Sequence, residues 1–252
     1  MPGFEMIILI VVLSITMETI DSSLGMMYGT LLSPLLIMLG FSPHLVVPAI
    51  LLSQATGGIA GTIFHHKYKN ADFGGLNHHM KIVLAIVLAG IIAVILGVLF
   101  ASFITETMLM IYIGIIAIIM GILCLLKFSF GFKWWKIAAV GFLASFNKSA
   151  TGGGFGPLAS TGKIVSGVDS RVSVATTTFS EVPLCMIGFA TYVLVKGVPE
   201  LPFTLTLVAG TIVGGMFGPF ICAKINHKKM RRMVGALAII SGAILLIKVF
   251  GK

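Results

Sequence analysis

Asn147-Lys148-Ser149-Ala150-Thr151-Gly152-Gly153-Gly154-Phe155-Gly156 places a lysine and hydroxyls directly before a glycine cluster, in the middle of an otherwise apolar chain. An ammonium attracts anions, hydroxyls and amides orient them, and glycines let a ligand come close to the backbone. A helix starting at Gly152 would add unpaired N–H groups and partial positive charge. The stretch around Ser22, Ser23 and Gly25 predicts a second such helix, starting at Ser22. Two helix N-termini facing one another would form an anion site. The expected substrate-binding residues are Ser22, Ser23, Gly25, Asn147, Lys148, Ser149, Thr151, Gly152, Gly153 and Gly154, with Lys148 the main electrostatic determinant. Close helix packing through small residues is the competing reading of the glycines. A nucleotide-type phosphate loop is excluded, because no strand precedes the glycines and no GK[ST] follows.

Acids at membrane depth are candidates for carrying protons. Glu18, Asp21 and Glu181 are the three proton-coupling candidates. Asp21 is also a candidate counter-charge for Lys148, and the two roles are compatible. Ser53, Gln54, Thr177 and Ser180 are cavity-lining candidates, with Thr56, Thr176 and Thr178 nearby; bonding to neighbouring backbone is the alternative for these. His65, His66, His78 and His79 share one polar stretch, but their spacing matches no metal-ligand motif, and a solvated loop is expected. Cys124, Cys185 and Cys222 lie in apolar segments and read as small packing residues. No metal or cofactor is expected.

The elements that position these residues are membrane helices. Of 252 residues, 58% are hydrophobic and 10% charged, and the mean hydropathy is +1.10. Apolar runs of near-membrane length recur along the whole chain. They predict an all-α polytopic membrane protein with one transmembrane domain over 1–252. The predicted segments run roughly 5–20, 22–39, 44–64, 81–103 and 107–126, then 136–146, 152–167, 171–195, 202–223 and 232–250. The net charge of +9 sits in short loops between apolar runs, which points to membrane topology and lipid headgroups and away from nucleic acid.

A shift of 127 residues superimposes Ser22 on Ser149, Gly25 on Gly152, Gly29 on Gly156 and Ser33 on Ser160, and puts Glu181 on Gln54. Two copies are therefore predicted, 1–127 and 128–252, each of about five helical segments with short or broken helices at the glycine motifs. From Trp134 to Lys148 a helix advances only about 20 Å, less than a hydrocarbon core of about 30 Å, so Lys148 is expected inside the membrane. If the two opening segments of each copy both cross, or form a re-entrant hairpin, the loops at 65–81, 127–136, 163–171 and 224–232 share one side. Those loops hold 13 of the 17 basic residues, including Lys67, Lys133, Lys163 and Lys228. If each opening pair is instead one broken helix, the basic residues divide nine to seven between the sides, with Lys148 in the membrane. The positive-inside rule selects the first arrangement. Its odd count makes the two copies inverted, with both termini outside and the basic loops in the cytoplasm.

Thr151-Gly152-Gly153-Gly154-Phe155-Gly156-Pro157-Leu158 and Val174-Ala175-Thr176-Thr177, with the repeated helix-break pattern, resemble the TauE/SafE sulfite exporter family. The first copy departs from the pattern, since Leu24-Gly25-Met26-Met27-Tyr28-Gly29 keeps two glycines. Asn147-Lys148-Ser149 also departs from it. The resemblance implies a transporter of sulfite, an organosulfonate or another small organic anion. The expectation is then a secondary transporter in the cell membrane, working by alternating access and coupled to protons. An anion channel is the alternative. No HExxH or GxSxG motif supports an intramembrane enzyme.

Overall fold

The computed structural model describes residues 4–126, 133–165, 168–224 and 227–251. Among these, ten helices occur: α1 (Phe4–Leu24), α2 (Tyr28–Met38), α3 (Pro43–Lys67), α4 (His78–Phe103), α5 (Glu106–Leu125), α6 (Trp134–Thr151), α7 (Phe155–Val165), α8 (Ser170–Lys196), α9 (Leu201–Cys222) and α10 (His227–Phe250). α1, α3, α4, α8 and α9 are long and apolar enough to cross a membrane. Large apolar side chains such as Phe103, Leu194 and Trp135 face outward, as expected where lipid replaces water. The protein is an all-α polytopic membrane protein.

α3 and α8 pack against each other, and α5 packs against α10. The remaining main contacts come in pairs: α1 on α9 and α6 on α4, α3 on α9 and α8 on α4, α2 on α10 and α7 on α5. Each member of a pair becomes the other when every helix is exchanged for the one five places away.

The helices differ from the predicted segments mainly at the breaks. α1 runs on through Ser22, Ser23 and Leu24, and α6 runs on through Asn147 to Thr151. The following helices begin at Tyr28 and Phe155, not at Ser22 and Gly152. The cause is local. Each first helix ends where a glycine takes the left-handed conformation, Gly25 at φ 69° and Gly152 at φ 76°, the usual helix stop. The hydroxyls before it bond back to their own helix, Ser23 to the Ile20 carbonyl and Thr151 to the Asn147 carbonyl. They therefore do not break it.

α3 begins with Pro43 in its first turn. The Asn77 side chain accepts from the Met80 N–H at the start of α4, and Asp169 accepts from Arg171 and Val172 at the start of α8. Such caps satisfy N–H groups that a helix leaves open.

Lys163 and His65 also depart from the expected loops. Lys163 is not in a basic loop; it lies in α7 and is fully buried. His65 is not solvated either. It ends α3 buried, with Nδ1 3.0 Å from Asn70 Nδ2, because the Asn70 amide folds back under the helix and also donates to the Pro219 carbonyl. The four histidines do not share a loop: His65 and His66 end α3 and His78 and His79 begin α4, with His66 and His79 accepting from the Phe73 and Asp72 N–H groups of the loop between. Among the described residues no group of three His, Cys, Asp or Glu could hold a metal. Cys185 and Cys222 are buried free thiols. Lys127 and the side chains of Cys124 and Lys228 lie outside the described residues.

Candidate functional site

α1 and α6 end beside the middle of α3 and α8, where Gln54 is the twelfth of 25 residues and Glu181 the twelfth of 27. Four buried side chains meet there. Lys148 Nζ lies 3.2 Å from Glu181 Oε1 and donates to Gln54 Oε1. Gln54 Nε2 donates to Glu181 Oε2 at 3.1 Å and to Asp21 Oδ2 at 2.7 Å. The N–H of Tyr28, the first residue of α2, donates to Asp21 Oδ1 at 3.0 Å. Lys148, Asp21, Glu181 and Gln54 are all less than 5% exposed, so the site is closed to both sides.

This geometry redistributes the predicted roles. Lys148 pairs directly with Glu181, and Asp21 reaches it only through Gln54. The helix N-terminus nearest the site holds an internal carboxylate, that of Asp21, in the position proposed for a substrate. Asn147, Lys148, Ser149 and Thr151 form the last turn of α6, not the approach to α7. Ser22 and Ser23 likewise belong to the end of α1.

Glu18 lies one turn before Ser22 on α1. Ser22 Oγ donates to Glu18 Oε1 at 2.7 Å, whereas Glu18 Oε2 is buried without a hydrogen-bond partner. Ser149 bonds to the Phe146 carbonyl, and Asn147 Oδ1 accepts from Tyr112.

The glycines serve close approach. A side chain at Gly29 would run into the carbonyl of Gly152, and one at Gly156 would run into the carbonyl of Gly25. One at Gly153 would meet Thr30 backbone at 2.7 Å. The two breaks thus cross, backbone against backbone, at Gly25, Gly29, Gly152, Gly153 and Gly156. Packing through small residues, the competing reading, is realised for these glycines. Two serines lock the crossing: Ser33 donates to the Thr151 carbonyl and Ser160 to the Gly25 carbonyl. Thr30 accepts from the Gly154 N–H.

The lining candidates divide. Gln54 is central. Ser53 bonds to the Tyr28 hydroxyl and the Ile50 carbonyl. Thr177 bonds to Ser160 and the Ser173 carbonyl, and Ser180 to the Thr176 carbonyl.

Sequence reasoning missed Tyr28, whose hydroxyl joins Ser14 and Ser53. It also missed Thr30, Ser33, Tyr112, Ser160 and Lys163 as structural or site residues. The match of Ser33 to Ser160 under the 127-residue shift was an available signal; for Tyr112 no sequence signal existed.

The family model "Sulfite exporter TauE/SafE" matches residues 9–245. The chain is also 25% identical over 245 residues to the "Probable membrane transporter protein YtnM" of Bacillus subtilis (strain 168), covering 91% of this chain and 79% of that protein. No solved structure matches it. With a match spanning both helix breaks and the buried charge network between them, the chain belongs to the TauE/SafE sulfite exporter family.

Proposed function

We propose that this protein is a secondary transporter, not an enzyme, that carries a small anion across the cell membrane by alternating access with protons as the coupling ion. A sulfur oxyanion or organosulfonate is the proposed substrate class, in line with the name of the family; the relative's name supports membrane transport alone. The observation that carries the reading is the buried Lys148–Glu181 pair where the two helix breaks converge. Buried ionisable groups inside a membrane protein are costly and mark transport pathways.

Glu181 occupies Lys148 as an internal anion. A substrate oxyanion takes its place when the site opens, and Gln54, bonded to both carboxylates, turns with it. Glu18, Asp21 and Glu181 already bring three carboxylates against one ammonium. A further negative charge enters such a low-dielectric site at great cost unless a proton comes with it. Glu181 is the proposed acceptor of that proton, because it loses its cation to the substrate. The two halves are proposed to be inverted copies, with the basic loops in the cytoplasm and both ends outside.

The test is radiolabelled sulfite flux in proteoliposomes under an imposed pH gradient. Saturable flux driven by acid on the substrate side is expected. Lys148→Met should lower it about 10- to 100-fold, the effect of losing a charge-assisted contact of about 1.5–3 kcal/mol. Folded Lys148→Met protein with wild-type flux would refute the site. Non-saturating flux with unitary conductance would replace the carrier by a channel.

A further inference from the structure

Lys163 is fully buried in α7 and donates to Thr176 Oγ1 at 2.8 Å. No carboxylate lies within ion-pair distance of it among the described residues, where the ion pairs are His66–Asp72 and Lys148–Glu181. Lys163 thus makes no direct ion pair with the central carboxylates.

Its surroundings are hydroxyl-rich. Ser160 Oγ and Thr177 Oγ1 are 2.8 Å apart, and Ser173 Oγ donates to the Ser160 carbonyl at 2.9 Å. Ser173, Thr176, Thr177, Ser180 and Glu181 recur at intervals of three and four or next to one another, so they form one continuous face of α8, and all are buried. That face leads from the basic-loop end of the helix to the central pair. Thr176 stands about 9 Å from the start of α8 and Glu181 about 16 Å from it. Lysines meet this face at two levels, Lys163 at Thr176 and Lys148 at Glu181.

The other half lacks this device. The positions 127 residues earlier are Leu36 for Lys163, Val46 for Ser173, Ala49 for Thr176 and Ile50 for Thr177, all buried and apolar. On α3 polarity returns at Ser53 and Gln54, and on α2 Ser33 stands at the position of Ser160. Along this face α8 and α7 carry hydroxyls and a lysine where α3 and α2 carry mostly hydrocarbon.

We propose that Lys163, with Thr176, Thr177, Ser160 and Ser173, forms a second binding site for a small oxyanion, on the cytoplasmic side of the central pair. The proposal rests on the transport reading for its place in the path. An anion on this route rests first at Lys163, with the α8 hydroxyls replacing its water, and then moves one and a half turns inward to Lys148. Lys163 is a substrate-contacting residue, not a positioning one, and its action is confined to one face of the membrane.

The experiment measures sulfite flux in right-side-out and inverted membrane vesicles. Lys163→Met and the pair Thr176→Val with Thr177→Val should raise the half-saturating sulfite concentration on the cytoplasmic face about tenfold, the effect of one lost charge-assisted contact. The value on the outer face should stay unchanged, and Lys163→Arg should restore part of the loss. A folded Lys163→Met protein that leaves both faces unchanged, or shifts both equally, overturns the proposal.

A second measurement does not depend on flux. Purified Lys148→Met protein should still gain thermal stability from sulfite, and lose that gain on adding Lys163→Met. Equal stabilisation of the two proteins, or none of either, overturns the Lys163 site. Stabilisation that depends on Lys163 in a protein whose wild-type form moves no sulfite supports the site and defeats the transport reading alone.

Discussion

Gln54 uses both ends of its carboxamide: the nitrogen donates to Asp21 and Glu181, and the oxygen accepts from Lys148. A flipped amide would aim its hydrogens at an ammonium and its oxygen at two carboxylates, so the charges around it fix its orientation. Lys148 and Glu181 are tied as tightly. Breaking a buried pair from one side strands a charge, at a cost of about 3–5 kcal/mol, whereas replacing both partners by apolar groups is often nearly neutral. Lys148→Met and Glu181→Leu should each destabilise the protein by about that amount. The double variant should be more stable than either single one. A double-mutant cycle on unfolding in detergent checks this, and additive losses would mean that the pair is not coupled. The sequence made Lys148, Glu181 and Asp21 visible because charge is conspicuous among apolar residues. It did not show which acid meets the lysine. That depends on how α6, α3 and α8 are rotated against one another, and Gln54, a neutral side chain, decides the outcome by standing between Asp21 and the rest.

The two helix breaks repeat in conformation as well as in sequence. Gly25 and Gly152, 127 residues apart, both take positive φ, and so do Met27 at 132° and Gly154 at 81°. Met27 thus adopts a backbone conformation that side chains rarely occupy, at a cost of about 1–3 kcal/mol, in the copy that has fewer glycines. Its side chain packs with Leu24, Met26 and Leu31 in a buried cluster. The existence of the breaks was legible from the glycines. Their position was not, because Ser22, Ser23 and Thr151 read as polar residues beside new helix starts yet bond back along their own helices. α2 (Tyr28–Met38) and α7 (Phe155–Val165) are 11 residues each and stand 127 apart at both ends, and their first turns carry the crossing glycines. Gly29→Ala and Gly156→Ala should sharply reduce the yield of folded protein, since the added carbon meets backbone that cannot give way. Gly75→Ala, in a loop with open space around it, should cost only about 1 kcal/mol from its positive φ. Size-exclusion profiles of the three variants decide it: a monodisperse Gly156→Ala protein with wild-type yield would show that the crossing is loosely packed.

At the scale of the whole molecule, the helix contacts exchange in pairs when each helix is replaced by the one five places on, which favours two copies of one unit. Sequence identity between the copies is sparse because lipid-facing positions accept almost any large apolar side chain; what persists is concentrated where the breaks cross. The residues that differ are those on which a carrier would depend, Asp21 against Lys148, Gln54 against Glu181, and Leu36 against Lys163. In the proposed duplicated scaffold, these unequal charges would make the two approaches to the centre chemically different. The proposed orientation rests on the basic residues. Lys67 closes α3, Lys133 precedes α6 and Lys224 follows α9. Moving that end of the bundle outward would oppose the positive-inside rule at several loops together. Both ends of the chain should accordingly lie outside. Alkaline phosphatase fused after Lys252 should be active and a green fluorescent protein fused there dark. Single cysteines placed at Lys67, Lys133 and Lys224 should react with a membrane-impermeant maleimide in inverted vesicles but not in intact cells. Labelling of Lys67 and Lys224 from opposite faces would require the two copies to run parallel, and would remove the basis for a cytoplasmic site at Lys163.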